Sequence, residues 1–69
     1  MAKHPQRREV LFEFRQVGTA VRVAALDPVT RTEVTVIADP RESEEMMKRV
    51  AARKLFYAIK KKQEKEQGR

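Results

Sequence analysis

The residues able to do chemistry are few and far apart. His4 is the only histidine and Ser43 the only serine in 69 residues. Nucleophilic catalysis by a hydroxyl needs a base within hydrogen-bond reach and a third group to orient that base, all on a rigid scaffold. A histidine in a basic N-terminal run and a serine at the start of a helix pattern do not make that constellation. Glu42, Glu44 and Glu45 could ligate a hard cation, but acids in a helix first turn ordinarily serve the helix dipole, and no histidine or aspartate cluster accompanies them. Gly18 and Gly68 are the only glycines, so there is no phosphate-cradling loop, and without cysteine there is neither a thiolate metal site nor a disulfide. Lys54 falls within an apolar helix stripe, where burial could make it reactive. More often such a lysine lays its stem on the core and keeps its ammonium in water. No cofactor, metal or small-molecule substrate is expected, and the chain reads as non-enzymatic.

Charge is the other chemical resource. Sixteen Lys and Arg against ten Asp and Glu give a net charge of +6, which permits attraction to nucleic acid without requiring it. The candidate phosphate contacts are Lys3, Arg7, Arg8, Arg15, Arg22, Arg49, Arg53 and Lys60. Arg49, Arg53 and Lys60 share one helix strip, an arrangement most often found on a solvated face. Lys60 to Lys62 could touch an anionic membrane, but no lipidation motif supports that contact. No apolar run approaches the roughly 18 residues of a transmembrane segment, and the N-terminus lacks the apolar centre of a secretory signal. A cytoplasmic location is expected.

The elements that must carry these residues are legible from periodicity. Residues 1–8, without apolar periodicity, are expected to be a flexible basic arm. Residues 9–62 read as one domain, and 63–69 as a frayed tail of mixed charge. Val10, Phe12 and Phe14 alternate with Leu11, Glu13 and Arg15; Val21, Val23 and Ala25 with Arg22 and Ala24; Val34 and Val36 with Glu33, Thr35 and Ile37. These are three strands, each with one apolar face. From Asp39 to Lys62 the pattern is helical. Asp39 is expected to cap it, with Pro40 in the first turn and Glu42 at the capping-box position, while Met47, Val50, Ala51, Leu55, Ala58 and Ile59 project as one core stripe.

Turn chemistry predicts the register. A loop at Val17 and Gly18 places Phe14 opposite Val21, Phe12 opposite Val23, Val10 opposite Ala25 and Glu13 opposite Arg22. Val17 suits the required positive φ poorly, so a longer loop with Gly18 in the left-handed position is the alternative. The run Asp27 to Arg31, with Pro28 second, predicts a turn that pairs Asp27 with Thr32, Ala25 with Val34 and Val23 with Val36. The expected fold is α+β: a three-stranded antiparallel meander with one long C-terminal helix packed on its apolar face, β-β-β-α.

A domain this short buries only about 60% of its unfolded surface. Without disulfide or metal, oligomerisation is the remaining support. Leu11, Leu26 and Ile37 on the outer sheet face, with Met46, Phe56 and Tyr57 on the helix flank, are left over as a candidate homodimer interface. The contact could form by packing helices or sheet edges, or by exchanging the helix across the hinge Ala38 to Pro40.

In element order the chain is similar to the final strands and helix of double-stranded-RNA-binding domains and to integrase-type three-stranded DNA readers. The first needs a lysine cluster where Glu42, Glu44 and Glu45 stand here, together with an earlier helix. The second needs several arginines and aromatics on the outer sheet face. A resemblance across residues 9–59 is broader. Glu9-Val10, Phe12-Glu13-Phe14, Val17-Gly18, Val21-Arg22-Val23, Ala25, Asp27-Pro28, Thr30, Glu33-Val34 and Arg53-Lys54-Leu55 resemble a family of short, uncharacterised alphaproteobacterial proteins. That resemblance implies a bacterial cytoplasmic protein of β-β-β-α build, and no functional residue. Three classes of function are weighed: first a homodimeric structural or interaction module, second a nucleic-acid-binding module working through the basic arm and helix face, and third contact with an anionic membrane through Lys60 to Lys62.

Overall fold

The computed structural model describes residues 9–67. Its elements are β1 (Leu11–Val17), β2 (Ala20–Asp27), β3 (Thr32–Ala38) and α1 (Glu44–Gln67). The strands form an antiparallel meander in the order β1-β2-β3, and the helix closes one face. The expected α+β, β-β-β-α architecture is the one observed.

The turn between β2 and β3 is built by Asp27. Its carboxylate, fully buried, accepts from the Val29 N–H at 3.2 Å and from the Thr30 hydroxyl at 2.9 Å. The Arg31 N–H donates to the Asp27 carbonyl at 2.7 Å, with Arg31 in the left-handed region at φ 60°. A carboxylate that bonds two donors of its own turn is a strong local constraint. The register follows as the turn residues require: Asp27 pairs with Thr32, Ala25 with Val34 and Val23 with Val36.

The β1–β2 register differs from the sequence expectation by two residues. The loop is Gly18-Thr19, and Val17 pairs with Ala20, Phe14 with Val23, Phe12 with Ala25 and Glu13 with Ala24. Gly18 has φ 60° and Thr19 does not have positive φ, the pattern of a two-residue type II′ turn with glycine first. Val17 would carry a steric cost at positive φ, so it stays in the strand. Because the shift is an even number, each inward side chain remains inward. What changes is the partner: Arg22 faces Arg15 rather than Glu13.

The helix also starts later than expected. Ser43 is its cap, its Oγ accepting from the Met46 N–H and its carbonyl from the Met47 N–H, each at 3.0 Å. Asp39 instead organises the turn before the helix. Its Oδ1 accepts from the Arg41 N–H at 2.8 Å, its carbonyl accepts from Glu42, and its carboxylate pairs with the Arg41 guanidinium at 2.9 Å. Glu44 and Glu45 occupy the first turn of α1, beside the positive end of the dipole. The helix continues through Gln67, past the Lys62 at which the apolar pattern ends.

The core consists of Val23 and Ala25 from β2 with Met47, Ala51, Leu55 and Ile59 from α1. The four helix residues recur every fourth position, which is one narrow stripe. Val50, expected in that stripe, is 44% exposed, and Ala58 is half-buried. The reason is the placement of the helix, which lies over β3 and β2 rather than over β1. Phe12 and Phe14 on β1 pack against the edge of the core and stay half-buried.

Candidate interaction surfaces

Two contacts orient α1. On one flank the Lys48 ammonium lies 5.8 Å from the centre of the Phe12 ring on β1, a cation–π arrangement. On the other flank Lys54 Nζ donates to the Thr35 carbonyl of β3 at 2.9 Å. Lys54 is therefore an exposed lysine tied to a strand edge, not a buried reactive group.

The helix back carries most of the candidate residues of α1. Arg49, Arg53 and Lys60 are exposed there, together with Phe56. Met46, Val50 and Tyr57 follow one another at spacings that keep them on the flank nearest β3, and the Lys61 ammonium lies 6.0 Å from the Tyr57 ring centre. Val50 belongs to this exposed strip; its place at the margin of the predicted stripe was the available signal.

The outer face of the sheet is a separate surface. Its cross-strand rows are Leu11–Leu26–Glu33, Glu13–Ala24–Thr35 and Arg15–Arg22–Ile37. The four charges surround an open depression of about 200 Å³ floored by Ala24 and Thr35. Arg15 and Arg22 are directly opposed like charges, unfavourable by a fraction of a kcal/mol (~0.2–1) when not compensated. Among the described residues no ion pair joins either arginine to Glu13 or Glu33.

The candidates from the sequence are thus divided. Leu11, Leu26 and Ile37 lie on the sheet's outer face, whereas Met46, Phe56 and Tyr57 lie on the helix, so the six do not form one patch. The basic candidates divide likewise, with Arg15 and Arg22 on one layer and Arg49, Arg53 and Lys60 on the other. Lys3, Arg7 and Arg8 lie outside the described residues.

The third surface is the edge of β1, one of the two sheet edges through which a dimer contact was expected to be able to form. In an antiparallel ladder, alternate residues turn their N–H and C=O groups toward a given neighbour. Val17 and Ala20 close the tight turn, so Val17, Arg15, Glu13 and Leu11 bond toward β2. Phe12, Phe14 and Gln16 point their backbone groups outward. The same alternation on β3 turns Thr35 outward, where Lys54 meets it.

Titration is perturbed in the turn before the helix. The Asp39 carboxyl is held below its ordinary value first by the side-chain hydrogen bond from Arg41 and then by the backbone bond, and the Arg41 guanidinium is raised by the same contact. Both groups are exposed, and such a pair contributes little to stability. Among the described residues no group of three or more His, Cys, Asp or Glu is arranged to hold a metal ion, and no helix is long and apolar enough to cross a membrane.

Residues 7–62 match the family described as a domain of unknown function, DUF6898. Neither a curated protein nor a solved structure matches the chain.

Proposed function

From the premise that the chain belongs to the DUF6898 family, we propose that it is a small non-enzymatic interaction protein of the bacterial cytoplasm that works as a homodimer. One observation carries this. Among the described residues eight large apolar side chains are exposed, Leu11, Val17, Val29, Ile37, Met46, Val50, Phe56 and Tyr57, whereas four, Val23, Met47, Leu55 and Ile59, are buried in the core. Isolated exposed apolar residues are ordinary, but an excess of them over the core in so small a fold supports association with a partner. A second copy is the simplest partner, because closed two-fold association uses the same patch twice. Sedimentation across concentrations on the order of 1 μM to 1 mM, the range where small interfaces associate, tests this. The expected result is a mass rising to two chains; one chain throughout overturns the proposal.

Nucleic-acid binding is a second reading, favoured by one feature of the helix. From Met46 to Gln63 it carries seven Lys and Arg and no acid, and Arg49, Arg53 and Lys60 are exposed on its back. Anisotropy titration of labelled duplex and single-stranded RNA and DNA tests it. Micromolar binding that survives physiological salt and is lost in Arg49→Glu/Arg53→Glu supports it. Binding confined to low salt identifies the strip as solvated charge.

A further inference from the structure

We infer that the homodimer forms by antiparallel pairing of β1 with β1 of a second copy, with Phe14 on the two-fold axis and Glu13 opposite the partner's Arg15. This rests on the homodimer proposed above and specifies its surface. The joined product is a six-stranded sheet with both helices on one face.

The two edges of the sheet are unequal. Unpaired edge groups invite another strand, and lysines are a common guard against it. On β3 the outward carbonyl of Thr35 is already taken by Lys54. On β1 the outward groups of Phe12, Phe14 and Gln16 have no such guard among the described residues. The helix is also displaced toward β3, leaving Phe12 and Phe14 half-buried. β1 is the edge that offers both hydrogen bonds and apolar surface.

The sequence of β1, LFEFRQV, complements itself when reversed about its centre. Antiparallel pairing centred on Phe14 sets Phe14 against Phe14, Phe12 against Gln16, Glu13 against Arg15 and Leu11 against Val17 of the other copy. Phe12, Phe14 and Gln16 are the positions whose backbone groups face outward, so the central pair is a hydrogen-bonded one and the ladder closes in phase. Glu13 and Arg15 then fall in non-hydrogen-bonded pairs, where side chains approach most closely. Two-fold symmetry makes this contact twice.

That pairing answers features the single chain leaves open. Arg15, opposed by Arg22 within its own sheet, gains a carboxylate on its other side. Leu11 and Val17, 46% and 52% exposed, become cross-strand partners. The two Phe14 rings meet on the inner face, beside the depression that Phe14, Gln16 and Val21 share with Glu44 and Met47.

A charge-reversal cycle on the full chain tests the inference, with mass followed by sedimentation and folding checked by circular dichroism. Glu13 and Arg15 are exposed, so reversal leaves the core untouched. Glu13→Arg and Arg15→Glu each place like charges across the axis at two symmetric positions. Each is expected to weaken dimerisation by about tenfold or more. The double variant Glu13→Arg/Arg15→Glu restores opposite pairs and is expected to recover dimerisation. Single variants that dimerise like the parent overturn this interface while leaving a homodimer by another surface. Loss in the single variants without recovery in the double one overturns the Phe14-centred register. A parent that remains one chain at the highest concentration overturns the homodimer itself, and this interface with it.

Discussion

The Lys54 ammonium caps the edge of the sheet, donating at 2.9 Å to the carbonyl of Thr35, nineteen positions earlier in the chain. A single side chain thereby links the middle of α1 to the outer edge of β3. It gives the helix a lateral anchor and fills one of the acceptor sites that an incoming strand would use.

Replacing Lys54 with methionine keeps the apolar stem and removes the donor. The expected change in unfolding free energy is small, below about 1 kcal/mol, because the bond is exposed. The larger expected effect is on association. Light scattering at high concentration should show species beyond the parent's size as the β3 edge becomes available. Scattering identical to the parent's would mean that Lys54 does not guard that edge.

Leu55→Ala removes a side chain with 0% exposure at the centre of the core, whereas Val50→Ala trims one that is 44% exposed. Urea unfolding should show a loss of about 2–5 kcal/mol for the first and less than about 0.5 kcal/mol for the second. Comparable losses would place Val50 back in the packed stripe.

Ser43→Ala removes the acceptor for the Met46 N–H and should cost about 1 kcal/mol, the usual value of a helix cap. Asp39→Ala disrupts the preceding turn but not the cap, and should cost less. The reverse order would move the helix start back to Asp39.

Asp39 also sets a pH dependence. Its folded pKa lies below its ordinary 3.8 because the Arg41 guanidinium and N–H bond to the ionised carboxylate. The sign follows from linkage: the contribution to stability is fully present above the unfolded pKa and is lost as pH falls through the lower folded one. A carboxyl-carbon NMR titration of the folded chain should therefore show a midpoint below that of Asp39 in an unfolded peptide, and Arg41→Ala should narrow the difference to the part that the residue-41 N–H supplies. Equal midpoints in the parent would exclude the contact in solution.

The amino-acid sequence by itself determined the three strands, the helix and the face each strand turns inward. Alternation of apolar and polar residues has a period of two, and a slip by one residue would have buried Glu33 and Thr35. It also determined the β2–β3 register, because Asp27 and Pro28 build a turn whose bonds lie within a few residues. Tertiary structure decided the rest. The loop expected at Val17-Gly18 lies instead at Gly18-Thr19, which spares Val17 a positive φ and places Arg15 opposite Arg22. The helix cap is Ser43 rather than the expected Asp39, with the chain first turning at Asp39. The helix stripe was visible as a periodicity, but its width depends on where α1 lies across the sheet. By settling over β2 and β3, α1 left Val50 exposed and Phe12 and Phe14 on β1 half-buried. A hydrophobic pattern records which residues can be buried; the lateral position of one layer on another determines which of them are.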